Sequence, residues 1–326
     1  MSAEREAGRV VCLGEALVDL VCERPVAGLA DAEAFVPRVG GSLTNIAVVA
    51  SRFGARTQLL GGAGEDEWGR WLRDRIEGEG VDVSRLRLVP GTETSLAFVT
   101  VSEGGEPSFA FHACGERAPA RAGADLEPAL GGRAGVLALG SDTLLADGER
   151  AVTMRAAELG AERGWTVLCD PNLRPNRWAD RASMLEGVRP LVARAAAVKC
   201  NAAEARALTG LEDERDAAGA LLGLGPSVAV LTRGPRGALV AATGLDEPLQ
   251  VDAPPAEVVD ATGAGDCVTG VLAAALAAGA GPESLGAAVA VAMRAAAGVV
   301  ARWGALSGLP APGEARAALT EALASG

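Results

Sequence analysis

The clearest hydrophobic pattern lies in the second half of the chain. Short apolar runs at Val136–Leu139, Val167–Cys169, Ala197–Cys200 and Val228–Leu231 alternate with longer mixed segments at Asp147–Arg163, Met184–Arg194, Ala202–Leu208 and Arg215–Leu222. Uninterrupted apolar runs read as strands covered on both faces, and the segments between them as helices. The alternation predicts an α/β fold, a central mostly parallel sheet sandwiched by helices. Val10–Leu13, ended by Gly14, reads as a first buried strand of that sheet. Thr44–Phe53, stopped by Gly54, reads as a helix, Gln58–Leu60 as a strand and Glu67–Gly78 as a helix. Ala238–Ala241 reads as a strand paired through the turn at Gly234 and Gly237.

Four other pieces read differently. Leu17–Cys22, Phe35–Val39, Ser95–Val101 and Pro107–His112 are short and extended. In the last, Phe109 and Phe111 face one way while Ala110 and His112 face the other. These predict a small β-sheet apart from the main body. No internal repeat or low-complexity linker divides the 326 residues. The expectation is therefore one domain over 1–326, with the small sheet formed by about 15–40 and 92–114.

Composition narrows the partners. The net charge is −12 without any basic block, which argues against nucleic acid and against an anionic membrane surface. Lys199 is the only lysine; electrostatic support near phosphates is one reading, and a snorkelling side chain at a strand end ranks ahead of it. The six cysteines form no C-x-x-C pair, and several lie in apolar runs, so they read as buried reduced thiols. His112 is the only histidine, which speaks against a histidine-based metal site or triad. Trp68, Trp71, Trp165 and Trp303 read as packing residues. Met1–Arg9 is charged and lacks an apolar signal core. The alanine-rich stretches near the C-terminus are too short before Gly279 or carry Arg294 and Arg302, so neither is expected to span a bilayer. A reducing cytoplasm suits this set of features.

Two motifs carry candidate chemistry. In Val258-Val259-Asp260-Ala261-Thr262-Gly263-Ala264-Gly265-Asp266 a strand-like pair runs into a glycine turn, followed by the apolar stretch Cys267–Ala278. Gly263 and Gly265 allow a tight turn with exposed N–H groups at the positive end of a helix, which makes an anion cradle. Asp266 falls in the first helical turn. There it either caps the helix or acts as a base beside a bound phosphoryl group. The second motif, Gly40-Gly41-Ser42-Leu43-Thr44-Asn45, precedes an Ala/Val-rich helix. Its glycines admit a ligand against the backbone, and Asn45 can both donate to and accept from a hydroxyl; a flexible turn with a helix cap is the simpler alternative.

Gly-Gly-x-x-x-Asn near residue 40 and Asp-x-Thr-Gly-Ala-Gly-Asp at Asp260–Asp266 together resemble the ribokinase-like carbohydrate kinases of the phosphofructokinase-B type. The resemblance covers nearly the whole chain. Gly14-Glu15 with Asp19 is similar to that family's first strand and its sugar-binding aspartate. Gly61, Gly64, Asp66 and Gly69 match a glycine-rich segment. Asp170-Pro171-Asn172-x-Arg174 with Trp178 resembles the fructokinase and 2-keto-3-deoxygluconate kinase branch. Asn201-Ala-Ala-Glu204 resembles the family's Asn-x-x-Glu motif, and Thr232-Arg233-Gly234-x-x-Gly237 its nucleotide loop.

The resemblance implies a ribokinase-like fold, ATP and Mg²⁺ as cofactors, and a small sugar as substrate. Asp266 would take the proton of the attacking hydroxyl. The cradle of Gly263, Ala264, Gly265 and Asp266 would hold the transferred phosphoryl group, and Arg174 would bridge sugar and phosphate. Asp19, Gly40, Gly41 and Asn45 would bind the sugar. Asn201, Thr232, Gly234 and Gly237 would border the nucleotide, and Glu204 would steer the water shell of magnesium. Asp260 and Thr262 resemble a monovalent-cation site, for K⁺. The small sheet would be a lid that excludes water, and it is also a candidate surface for a homodimer.

The chain departs from the family at Ala261, at Cys267-Val268 and in the segment His112–Arg117, so substrate identity is the open point. Fructose is the first expectation, with a keto sugar acid second. Arg38, Arg117 and Arg121 keep anionic substrates in view. Ribokinase or nucleoside kinase activity ranks lower. A sugar-sensing regulator would show decay at Asp266 or the cradle, and both are intact. A nicotinamide dehydrogenase would need glycines after the first strand, where the sequence reads Gly14-Glu15-Ala16-Leu17-Val18-Asp19.

Overall fold

The computed structural model describes residues 8–112 and 119–325. The first half holds β1 (Arg9–Glu15), β2 (Leu17–Pro25), β3 (Val36–Gly40), α1 (Ser42–Arg52), β4 (Arg56–Gly64), α2 (Glu67–Gly78), β5 (Leu86–Val89), β6 (Leu96–Val101) and β7 (Pro107–His112). Alternation follows in α3 (Leu126–Ala129), β8 (Val136–Gly140), α4 (Asp147–Glu162), β9 (Thr166–Asp170), α5 (Arg181–Val192), β10 (Ala197–Asn201), α6 (Ala202–Thr209), α7 (Glu214–Leu222) and β11 (Val228–Thr232). The chain ends in β12 (Ala238–Ala242), β13 (Leu249–Val251), α8 (Ala264–Ala277), α9 (Pro282–Val300) and α10 (Pro312–Ser325).

The main sheet has nine strands in the order β13-β12-β11-β10-β9-β8-β1-β4-β5, and only β12 runs against the others. Each face carries its own core. Cys12, Leu59 and Val230 lie with α1, α8, α9 and α10 on one side, and Leu13, Leu60 and Leu231 with α4 to α7 on the other. A period of two on strands buried from both sides produces this split. From β1 the chain moves one way to β4 and β5, and β8 to β11 fill the other side. The order therefore reverses between β1 and β8, and a crevice opens beyond the strands' carboxyl ends at such a switch point. Gly14, Gly140, Asp170 and Asn201 all sit at those ends.

The four extended pieces form a second sheet, ordered β3-β2-β6-β7. Its buried core is small, with Leu17, Val21, Ala97, Val99 and Val101 backed by Phe109, Phe111 and Trp303. Two features depart from the sequence reading. Strands β5 and β13 were not expected, because runs of four and three residues are too short for alternation to stand out. The pair Val258-Val259 is no strand. It runs irregularly, with the Val259 and Asp260 N–H groups donating to the Val300 carbonyl. Helix α9 is long and apolar enough to cross a membrane by length and composition, yet more than half of it is buried in the protein, where it packs on α8 and α10. Among the described cysteines, Cys12, Cys22, Cys169, Cys200 and Cys267 are buried and free, while Cys114 lies outside the described residues.

Candidate active site

A cleft of about 450 Å³ opens at the switch point, between the carboxyl ends of the main sheet and one face of the small sheet. That is room for a small ligand. Gly41, Asn45 and Asp19 line one side, and Gly263, Gly265 and Asp266 the floor. Arg174, Asn201, Glu204 and Thr262 complete the predicted residues that reach it.

Asp266 is the third residue of α8, whose N-cap Gly263 is left-handed (φ 78°). A side chain at Gly263 would also strike Ala305, at 2.4 Å from its Cβ. The carboxylate is 9% exposed. Its Oδ1 accepts from Ser42 Oγ at 2.7 Å and its Oδ2 from Asn45 Nδ2 at 2.9 Å. Burial raises its pKa; the Asp170 charge adds to the rise, while the bonds from Asn45 and Ser42 and the Lys199 charge oppose it. Ser42 in turn accepts from Asn172 Nδ2 at 2.9 Å. Asn172 has φ 39°, the sole positive φ at a non-glycine residue among the described ones. Asparagine tolerates that region better than most side chains, and held strain of this kind gathers at functional sites.

The cradle is narrower than expected. The Ala264 N–H turns back to the Ala261 carbonyl at 3.3 Å, so it is not directed at a ligand. The N–H groups of Gly265 and Asp266 have no partner among the described residues, as befits the open end of a helix. Asp260 is fully buried, and its oxygens accept from the Thr262 and Gly304 N–H groups at 2.9 and 2.8 Å. The Thr262 hydroxyl is buried without a partner.

Asp19, on β2, is 5% exposed. Burial, and then the Asp266 charge, pushes its pKa up to about 8, with Arg174 pulling the other way. Gly40 does not line the cleft but makes room for this carboxylate, since a Cβ there would stand 2.5 Å from it. Gly41 (φ 96°) would place a Cβ 2.5 Å from the Glu15 carbonyl. Asn45, read as a sugar ligand, spends its amide on Asp266 and leaves Oδ1 unpartnered.

Asn201 and Glu204 form a reciprocal cap at the start of α6. Glu204 accepts from the Leu173 N–H at 2.7 Å and the Asn201 N–H at 2.8 Å. Burial raises its pKa, and Asp170 adds to the rise. Thr232, Gly234 and Gly237 lie outside the cleft, but Thr232 pairs with Asn201 across parallel strand ends. The loop that follows Thr232 therefore adjoins it. Gly237 (φ 78°) is tight against the Val251 carbonyl. Arg174 stacks on Phe109 with 4.9 Å to the ring centroid, and its Nε is buried without a partner.

The sequence reading misjudged Lys199. It does not snorkel: it is 4% exposed, lines the cleft and contacts Asp170 Oδ2 at 3.1 Å. Also missed were Ser42, Asn172, Glu15, Asp142 and Arg177. Ser42 and Asn172 lay inside quoted motifs, so proximity in sequence was their available signal. Arg177 contacts Asp142 at 3.4 Å and stacks on Phe111. Burial lifts Glu15 to about 7, with Asp142 adding and Arg177 opposing. Of the segment His112–Arg117, only His112 is described; it is exposed and packs edge-on against Phe98. Arg117 and the Arg121 side chain lie outside the described residues, and Arg38 pairs with Glu23.

The chain is similar to known kinases in both sequence and fold. The Fructokinase-1 of Oryza sativa subsp. japonica is 34% identical over 270 residues, covering 82% of this chain and 83% of the rice protein. A fructokinase of Vibrio cholerae O395, solved with fructose, ADP and a calcium ion, superposes with a TM-score of 0.81 at 28% identity over 96% of this chain and 99% of that one. An aminoimidazole riboside kinase of Salmonella enterica, solved with aminoimidazole riboside and an ATP analogue, gives 0.80 at 28% over 95% and 99%. Residues 7–312 match the family model described as pfkB family carbohydrate kinase, and the chain belongs to that family of sugar kinases.

Proposed function

We propose that this sugar kinase transfers the γ-phosphoryl group of ATP to a hydroxyl of fructose. The observation that carries the reading is Asp266: a buried carboxylate, oriented by Ser42 and Asn45, beside two unpartnered N–H groups in a cleft that also holds Asp19. Asp266 takes the hydroxyl proton, and its raised pKa suits a base that must receive one. The Gly265 and Asp266 N–H groups hold the phosphoryl oxygens, at the positive end of α8. Asp19 accepts from sugar hydroxyls, Gly41 lets the sugar lie on the main chain, and Arg174 spans sugar and phosphate. Asn201 and the Thr232–Gly237 loop border the nucleotide.

A divalent cation fits the donor set. Asp170 Oδ1 is buried without a partner, and each Glu204 oxygen keeps a lone pair beyond its backbone bond. Magnesium, when bound, neutralises nucleotide phosphates. The unpartnered Thr262 hydroxyl beside Asp260 supports a K⁺ site there, checked by activity in KCl against tetramethylammonium chloride. The small sheet acts as a water-excluding lid within one kinase domain. Its exposed Leu29 and Val36 support a homodimer through it, checked by sedimentation. The buried thiols suit a reducing cytoplasm.

A sugar acid is the second reading, because the Arg174 guanidinium lines the cleft with its Nε buried and unpartnered and would suit a carboxylate. The deciding assay offers ATP with fructose, 2-keto-3-deoxygluconate, ribose, adenosine and aminoimidazole riboside. Fructose with the highest kcat/KM supports the lead reading; the keto acid moves it to the second. Preference for a riboside or ribose overturns both.

A further inference from the structure

A buried ammonium is costly, so its surroundings must account for it. Lys199 lies on β10 at 4% exposure, and Asp170 is its one hydrogen-bond acceptor among the described residues. An ammonium has three donors, which leaves two for whatever occupies the cleft it lines. Its Nζ stands 2.8 Å from where a Cβ on Gly265 would lie. The charge therefore sits against the cradle turn, and a side chain at 265 would displace it. Helix α8 also fixes its partner: Asp170 Oδ2 accepts from Thr269 Oγ1 at 2.5 Å, and Thr269 reaches back to the Gly265 carbonyl at 3.1 Å. The ion pair with Asp170 Oδ2 at 3.1 Å, both side chains buried, is what compensates the buried charge.

We propose that Lys199 is a catalytic cation that contacts the phosphoryl group in flight, with Asp170 and Thr269 as positioning residues. This rests on the reading that the Gly263–Asp266 turn holds that group. In the step, the bond between the γ-phosphorus and the β,γ-bridging oxygen of ATP breaks. A bond from the sugar oxygen to the same phosphorus forms, the hydroxyl proton goes to Asp266, and ADP leaves with the electron pair. Lys199 gives and takes no proton; its charge offsets what builds on the equatorial oxygens.

Because the chain has one lysine, protein labelled with lysine-Cε-¹³C gives a single lysine signal. That signal should shift with β,γ-imido-ATP, Mg²⁺ and fructose together, and stay in place with AMP. Lys199→Met should lower kcat about 10²–10³-fold, the range for loss of one oxyanion donor, with sugar KM changed by less than about threefold. Lys199→Arg should recover part of the loss. A signal unmoved by the triphosphate analogue overturns the proposal, even if Lys199→Met fails to fold. So does Lys199→Met turnover within about threefold of wild type while Asp266→Asn is inactive. If Asp266→Asn is itself active, the reading of the cradle falls instead.

Discussion

Two carboxylates face the same cleft, one from a helix of the main body and one from the small sheet, and they are held in opposite ways. Asp266 stands on the main body, at the start of a helix buried along most of its length. It accepts from Ser42 and Asn45, and Lys199 lies nearby. Asp19 stands on the small sheet and accepts no hydrogen bond among the described residues, although it is the more buried of the two. The first is finished before substrate arrives. The second has no such donors, and on the proposed function sugar hydroxyls would supply them. On that reading the chemistry would rest on the body with two large cores, and recognition on the sheet with a handful of buried residues. The two are tied together, since the Ala261 N–H ahead of the cradle donates to the Gly105 carbonyl in the β6–β7 turn.

The largest effect should come from the finished carboxylate. Asp266→Asn keeps its shape and removes the base, so kcat should fall about 10²–10⁴-fold. Nucleotide affinity, measured by calorimetry with ADP, should change little. Turnover close to wild type would remove Asp266 as the base. Wild-type kcat should also decline as pH falls through the raised pKa of this group, because its protonated form cannot accept. Lys199→Met should move that acid limb to higher pH, since a nearby cation favours the charged carboxylate.

Next in size is Gly40→Ala, which acts on the waiting carboxylate. The added Cβ would lie 2.5 Å from the Asp19 carboxylate and must push it aside. Sugar KM should rise about 10-fold or more, the worth of a hydrogen bond to a charged group, while ATP KM holds. An equal rise in both would mean the loop as a whole had moved. Glu204→Gln should have a smaller effect, because the amide can still accept from one of the two backbone N–H groups it caps. The magnesium concentration for half-maximal rate should rise; an unchanged value would assign Glu204 to capping alone.

The same contrast explains what the sequence could disclose. Period and run length are local signals, so β8 to β12 and the four pieces of the small sheet were legible within a few residues of their observed bounds. Asp266 and the cradle glycines were legible because they lie in a compact motif whose chemistry follows from spacing, whereas Asp19 was singled out only by the family resemblance. The network that orients them was not. Ser42 meets Asp266 across 224 positions of sequence and Asn172 meets Ser42 across 130, distances over which no periodicity speaks. Lys199 was misread for a related reason. A lysine ending an apolar strand looks like a side chain reaching for water until the fold sets Asp170 beside it.

The smallest predicted effect is the most direct measure of how unfinished Asp19 is. Its unfolded pKa is that of an ordinary aspartate, 3.8, and in the folded protein without sugar it is pushed up to about 8. Between those values the native state holds a proton that the unfolded chain has released. By linkage, Asp19 therefore subtracts stability progressively as pH rises from about 4 to about 8, and the loss is complete above that. Asparagine keeps the shape and carries no charge at any pH. Asp19→Asn should leave Tm unchanged near pH 4 and raise it near pH 9, by about 2 °C for each kcal/mol relieved. Fructose should narrow the gap, because hydroxyl donors lower the cost of the charge in wild type and the variant binds sugar poorly. A Tm difference that is the same at both pH values would locate the effect in packing and remove the unpaired charge as its cause.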